Sequence, residues 1–177
     1  HFLFNTLNTI YGLALKLSKN TPDVILKLSN LLDYILYQIN KSKVSLQEEI
    51  LHVKEYLELE KIRFQDMLKI TFSSDQISEE IKVAPMLLIP FVENAFKHGA
   101  SIDGFLQVNI AITFLENSLD FQIKNTVKAN KVREIKEGIG LRNIKKRLDI
   151  LYPEKYNLQL QNTDNWLPII ESKCAVP

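Results

Sequence analysis

The chain has 177 residues, 46% of them hydrophobic, and a formal net charge of +1. These values indicate an ordinary globular protein of one or two compact domains, and the near-neutral charge gives no support to a nucleic-acid-binding surface. The single cysteine, Cys174, excludes a disulfide framework and a cysteine-based zinc site. No apolar run approaches the ~20 residues that a membrane-spanning helix needs. Because the first residue is a histidine inside a helical pattern, we expect a part of a longer protein, whose other segments can include membrane spans.

Two helices are predicted at the start of the chain. The first extends from His1 to about Lys19, and the second begins with Thr21 as its cap and continues to about Asn40. One antiparallel hairpin cannot bury apolar faces as broad as these. We therefore expect two copies of the chain to pair into a four-helix bundle.

A third helix and a strand follow. Ser45 and Glu48 have the spacing of a capping box, which predicts the start of a helix that continues to about Phe64. From Leu68 to Phe72, apolar residues alternate with polar ones, which is typical of a strand.

The next helix is predicted from Pro85 to His98, with one apolar face and with Pro90 causing a kink or a late start. Gly99 suits a left-handed cap at its C-terminal end. The polar residues of its last turns are Glu93, Asn94, Lys97 and His98.

This polar end suits a ligand site. The amide oxygen of Asn94 is of the kind that Mg²⁺ prefers, and Lys97 can neutralise phosphate charge. His98 can contact a phosphate or only cap the helix. The alternative is an amphipathic core helix whose basic end is stabilised by the helix dipole alone.

A β-hairpin is predicted from residue 105 to residue 123. Apolar and polar residues alternate on both sides of a turn at 116–118. Residues 126–137 are polar, basic and without a period, and they indicate a mobile loop.

The C-terminal part is predicted to contain one helix and further strands. The spacing of Leu141, Ile144, Leu148 and Leu151 predicts the helix, and residues 158–160 indicate a strand. The tail from residue 164 has no clear alternation, and a proline at position 168 permits only an edge strand or a bulge there. The expected fold class is α+β: an N-terminal helical hairpin for dimerisation over residues 1–65, then an α/β sandwich with a mixed sheet over residues 66–177.

Residues 137–148 form a second candidate ligand site. Gly138 and Gly140 allow the backbone to approach a ligand, and the helix that begins there offers N–H groups and a favourable dipole to a phosphate. Arg142 and Arg147 can add positive charge, whereas the two lysines between them are expected on a solvated face.

His1 is the candidate nucleophile. A neutral imidazole nitrogen can attack phosphorus and form phosphohistidine, and the alternative is a solvated first residue without a role. His52 is expected to be an ordinary interface histidine. The three histidines are too scattered to form a zinc site.

Taken together, these segments resemble the LytS/YehU-type sensor histidine kinases, whose catalytic part belongs to the GHKL ATP-binding superfamily. The matching segments are the phosphoacceptor box at His1–Asn8, the block Val44–Glu49 followed by Glu55–Phe64, the asparagine box at Val92–Gly99, and the glycine box at Gly138–Asn143 with Arg147–Leu148 behind it.

The resemblance implies an ATP-dependent protein-histidine kinase, the cytoplasmic core of a two-component sensor. ATP and Mg²⁺ would bind between the asparagine-box helix and the loop before Gly138, with Asn94 as the metal ligand. The γ-phosphoryl group would pass to His1 within a homodimer, and then to an aspartate of a response regulator. In the full-length protein this core would lie on the cytoplasmic side of the inner membrane. The implied cofactor-binding residues are Asn94, Lys97, His98, Asn125, Gly138, Ile139, Gly140 and Leu141.

The chain departs from the family pattern at three sites, one of which is the tail from Trp166, where the alternation expected of a closing strand is missing. Asn125 stands where the superfamily usually has an aspartate that reads the adenine amino group, and the glycine motif that follows it is missing. Phe2 stands where many histidine kinases have an acid, so the proton acceptor is expected elsewhere, with Glu93 as the candidate.

Two other functions compete with the kinase. A catalytically degenerate dimeric scaffold of the same fold is favoured by Asn125. A GHKL ATPase ranks last, because Pro90 occupies the position of its water-activating acid. Since a helix that starts at His1 lacks the turn before it, we expect weak or no autophosphorylation in this chain.

Overall fold

A computed structural model describes residues 2–38, 41–99, 102, 104–126, 139–163 and 166–175. Among the helices in these ranges, none combines the length and the apolar character that a membrane crossing requires.

Three helices pack against one another in the N-terminal part. Helix α1 comprises Phe2–Leu15, α2 comprises Thr21–Asp33, and α3 comprises Leu46–Phe64. The capping box at the start of α3 is confirmed, with both of its side-chain bonds formed. Helix α2 ends earlier than predicted and is followed by one wide π-helical turn at Tyr34–Gln38.

The connection between α1 and α2 differs from the prediction. Helix α1 stops at Leu15 rather than Lys19, because Leu17 adopts a left-handed φ of 51° and closes a Schellman motif, with N–H···O distances of 3.0 Å. Thr21 does not cap α2. It is the first residue of that helix, and its hydroxyl donates to the Ser18 carbonyl at 2.9 Å.

Replacing Leu17 with glycine is expected to stabilise the protein by about 1 kcal/mol, because glycine adopts positive φ without the steric cost that leucine has. The Leu17 side chain is 89% exposed, so its removal loses little packing. Urea denaturation measures the change in the free energy of unfolding. The control is Lys16→Gly, which should destabilise, because Lys16 does not have a positive φ. A Leu17→Gly variant that is no more stable than the parent chain would contradict the expected gain in the free energy of unfolding.

The main sheet has five strands and is mixed, as predicted. Its spatial order is β2-β4-β5-β7-β6, with β2 and β4 parallel and the other neighbours antiparallel. The strands are β2 Leu68–Ser74, β4 Leu106–Leu115, β5 Ser118–Asn125, β6 Tyr156–Thr163 and β7 Trp166–Ala175. A small antiparallel pair joins β1, Val44–Ser45, to β3, Lys82–Val83.

The predicted hairpin is present, and of the two alternatives predicted for position 168, an edge strand or a bulge, the structure has a bulge. Glu116 and Asn117, both with positive φ, form the tight turn between β4 and β5. At the bulge, Gln161 pairs with Ile169 and Thr163 pairs with Trp166, so one residue of β6 faces two residues of β7, including the proline. The tail without alternation is therefore a strand that pairs on both sides, with β5 and β6.

Helices α4, Ile89–His98, and α5, Ile139–Leu151, complete the fold. The late start predicted for α4 is confirmed, with Pro90 in its first turn. Helix α4 contacts β5, α3 and α5, and the ring centroids of Phe91 and Phe121 lie 5.6 Å apart. This packing sets the first turns of α5 beside the polar side of α4.

Candidate active site

A cleft of about 260 Å³ lies between α4 and α5. Each helix contributes four residues, and the spacing is the same on both: positions i, i+3, i+4 and i+7 of one helical face. The eight lining residues are Pro90, Glu93, Asn94 and Lys97 from α4, with Gly140, Asn143, Ile144 and Arg147 from α5.

Asn94 of α4 lies against Gly140 of α5. A Cβ atom added to Gly140 would lie 3.0 Å from the Asn94 side-chain oxygen Oδ1. A glycine therefore allows the amide oxygen to approach the backbone in the first turn of α5. This contact joins the two sequence segments that were predicted to act together.

The cleft has the chemistry of a site for a phosphate and a hard cation. Lys97 and Arg147 provide positive charge, and the first turn of α5 provides N–H groups and the positive end of a helix dipole. The single amide oxygen of Asn94 fits a Mg²⁺ ion that takes its other ligands from phosphates and water. Among the described residues, no group of three or more His, Cys, Asp or Glu side chains could hold a metal ion.

The segment before α4 is anchored to the far end of α5. The guanidinium of Arg147 donates to the carbonyl of Pro85, and the backbone N–H of Ala84 donates to the Tyr152 hydroxyl at 2.8 Å. Arg147 thus both lines the cleft and holds the chain that leads into α4.

Gly99 is not the left-handed cap that was predicted, because its φ is −61° and its ψ is 149°. A Cβ atom there would lie 2.6 Å from Leu106 Cδ1 and 2.8 Å from the Ala95 carbonyl oxygen. The position needs glycine for close packing of the end of α4 against β4.

Asn125 lies behind this packed end of α4. Its side chain is buried, and its amide nitrogen Nδ2 donates to the Thr126 carbonyl at 3.3 Å. The same nitrogen is 3.1 Å from the position of a Cβ atom on Gly99. Asn125 is not among the residues that line the described cleft.

The other predicted site residues fall into three groups. Glu93, Asn94, Lys97 and Gly140 line the cleft. Two others do not line it: His98, an exposed residue at the end of α4, and Leu141, which is buried. Ile139 begins α5. His1, Gly138 and nearly all of the predicted loop, residues 127–137, lie outside the described residues.

A second polar cluster, next to the cleft, was missed by the sequence reasoning. Glu60 on α3 is only 1% exposed, and its carboxylate pairs with the Arg63 guanidinium at 2.5 Å. Burial raises the pKa of Glu60 to about 7, and the nearby Glu93 acts in the same direction, whereas Arg63 and the Tyr56 hydroxyl lower this pKa. The ring of Phe2 stacks on that of Tyr56, with centroids 4.3 Å apart. The cluster thus lies between the start of α1 and the cleft residue Glu93.

Comparisons of the sequence with known proteins find histidine kinases. Residues 1–68 match the family described as "Histidine kinase". Sensor protein LytS of Oceanobacillus iheyensis is 32% identical over 93% of this chain, and sensor protein kinase HptS of Staphylococcus aureus is 35% identical over 67% of it. The chain spans 31% of the length of LytS and 23% of that of HptS.

Solved structures share the fold. The catalytic domain of histidine kinase ThkA matches with a TM-score of 0.54 and 17% identity, over 76% of this chain and 97% of that domain. ThkA in complex with the response regulator TrrA matches with a TM-score of 0.53 and 16% identity, over 100% of this chain and 60% of the ThkA chain. Full-length ShkA in complex with AMPPNP matches with a TM-score of 0.54 and 16% identity, over 84% of this chain and 36% of ShkA.

Proposed function

The chain belongs to the LytS-type family of sensor histidine kinases, and on that premise we propose that it transfers the γ-phosphoryl group of ATP to His1. From His1 the group would pass to an aspartate of a response regulator. The observation that carries the proposal is the cleft in which Asn94 Oδ1 faces Gly140, because it joins a metal-binding amide to a phosphate-binding helix start.

We assign the nucleotide phosphates to the space between α4 and α5. Lys97 and Arg147 would neutralise phosphate charge, with His98 near them and the backbone of Gly138–Leu141 around the phosphates. Asn94 would ligate Mg²⁺, which when bound neutralises the charge on the phosphates. For Asn125, whose amide nitrogen donates to Thr126, we assign the side-chain oxygen to the adenine amino group.

The phosphoryl acceptor would be served by the polar cluster on α3. Phe2, which follows His1 in the chain, stacks on Tyr56 beside Glu60 and Glu93. In the proposed step, an imidazole nitrogen of His1 bonds to the γ-phosphorus as the bond to the leaving ADP oxygen breaks. The imidazole proton passes to a carboxylate, which we assign to Glu93.

We propose that the chain acts as a homodimer, divided into a dimerisation and phosphoacceptor region at residues 1–65 and an ATP-binding domain at residues 66–177. The support is a set of exposed apolar side chains on α1 and α2, and the ThkA–TrrA complex supports a response-regulator partner. The exposed residues are Leu3, Phe4, Leu7, Tyr11, Leu15, Ile25 and Leu26.

In the full-length protein we place this core on the cytoplasmic side of the inner membrane.

The test is phosphorylation with γ-labelled ATP and Mg²⁺. We expect weak labelling that is acid-labile and alkali-stable, that maps to His1, and that is absent from His1→Gln. Nucleotide binding without any label, even in a chain extended upstream of His1 so that the first helix keeps its preceding turn, would favour the catalytically degenerate scaffold. Steady phosphate release without a phosphoenzyme would favour the ATPase.

A further inference from the structure

The carboxylate of Glu49, on α3, is completely buried and is bonded to two other parts of the chain. One oxygen accepts the Tyr34 hydroxyl and the backbone N–H of Met86 at 2.5 Å, and the other accepts the backbone N–H of Leu88 at 2.9 Å. Burial raises the pKa of the Glu49 carboxyl, while all three partners are donors and favour its ionised form.

These bonds hold the turn that leads into α4, a helix without a side-chain capping bond of its own. Leu88, the residue before the helix, has no side-chain capping bond, and Met86 has a φ of 56°. The N–H groups at a helix start need acceptors, and a negative charge there is favoured by the dipole. Glu49 thus accepts, from α3, the N–H of the residue before the helix that carries Asn94, and it holds the turn in front of that helix.

Tyr34 links the same carboxylate to the end of α2. Burial and the Glu49 carboxylate both raise the pKa of Tyr34, so its hydroxyl stays protonated and donates. Its ring stacks on that of His52 with centroids 3.8 Å apart, and the His52 ring is held by Glu55 at 2.8 Å. The hydroxyl is therefore fixed in place between α2 and α3.

The turn before α4 is consequently held from two sides. Glu49 and Tyr34 hold Met86 and Leu88 from the N-terminal helices, while Arg147 and Tyr152 of the α5 segment hold the two residues before Met86. A displacement of α2 or α3 would reach the cleft through this turn.

We propose that Glu49 is a positioning residue for the nucleotide cleft: it fixes the start of α4, and through Tyr34 it ties that helix to the end of α2. The claim that Glu49 affects nucleotide binding rests on the proposed function, whereas the claim that Glu49 positions α4 does not.

Two variants and two matched controls test the proposal. Glu49→Gln puts an amide N–H₂ against donors, and Tyr34→Phe removes only the link to α2. The controls are Glu48→Gln, the neighbouring acid, which accepts from the Ser45 backbone N–H in the capping box, and Tyr37→Phe, an exposed tyrosine of the same π-helical turn.

The first readout is amide hydrogen exchange at Met86 and Leu88, which needs no nucleotide. We expect exchange about tenfold faster in Glu49→Gln, a smaller change in the same direction in Tyr34→Phe, and no change in the controls. The second readout is the Kd for Mg²⁺–AMPPNP, expected to rise about tenfold in Glu49→Gln and several-fold in Tyr34→Phe.

The outcomes separate the two claims. The proposal would be overturned if Glu49→Gln had the same amide exchange rates and the same Kd as Glu48→Gln. Faster exchange with an unchanged Kd would also overturn it. If the parent chain binds no nucleotide, the proposed function fails, and the exchange comparison alone decides the positioning of α4. If Glu49→Gln does not fold, Tyr34→Phe against Tyr37→Phe decides it.

Discussion

Replacing Asn94 with alanine is expected to weaken the binding of Mg²⁺–ATP by on the order of 100-fold, about 3 kcal/mol. The change removes the amide oxygen that faces Gly140, and with it the only protein ligand assigned to the metal. Calorimetric titration with AMPPNP, with and without Mg²⁺, measures the effect.

The matched control is Asn143→Ala, which truncates an amide on the opposite wall of the same cleft. We expect the Kd of this variant for AMPPNP to rise by less than tenfold. We also expect Mg²⁺ to increase its affinity as much as it increases that of the parent chain. Asn94→Ala should lose that gain. If both variants keep it equally, the assignment of Asn94 to the metal is wrong.

Replacing Glu60 with glutamine is expected to remove a large pH dependence of stability. The pKa of this carboxyl is about 7 in the folded chain and near 4.5 when unfolded, so the folded state binds the proton more tightly. The contribution of the Glu60 carboxyl to the free energy of unfolding is therefore fully present below about pH 4.5 and is lost as the pH rises through 7. The loss is up to about 3 kcal/mol, because each pKa unit corresponds to about 1.4 kcal/mol.

Urea denaturation of the parent chain and Glu60→Gln from pH 4.5 to pH 8 measures this contribution. The two should be about equally stable at the low end, and the variant should be the more stable at pH 8. Glu58→Gln is the control: this exposed acid pairs with Lys61, which lowers its pKa, so the difference should be small and opposite in sign. Parallel curves for the parent chain and Glu60→Gln would contradict the expected shift.

Much of the fold could be predicted because local patterns set it. The alternation of residues 105–123 and the capping box at Ser45 depend on neighbours in sequence, and both predictions are confirmed. The early end of α1 could not be predicted, because leucine rarely adopts the positive φ that Leu17 has there. The role of Gly99 also required the structure, since it depends on contact with Leu106 of β4.

The cleft could be predicted in part. Asn94, Lys97 and Gly140 stood out by residue type, whereas Asn143 and Ile144 were missed as lining residues. They follow Gly140 at the same helical spacing by which the α4 residues follow Pro90, so the spacing could have identified them. The buried acids could not be found this way: Glu49 and Glu60 lie on a helix with many charged residues, and only long-range packing makes them special.

The most direct test of the central claim is a crystal structure of the chain with AMPPNP and Mg²⁺. We predict the phosphates between α4 and α5, against the first turn of α5, with the metal bound to the side-chain oxygen of Asn94. Nucleotide bound elsewhere, or phosphates in the cleft with Asn94 turned away from the metal, would contradict it.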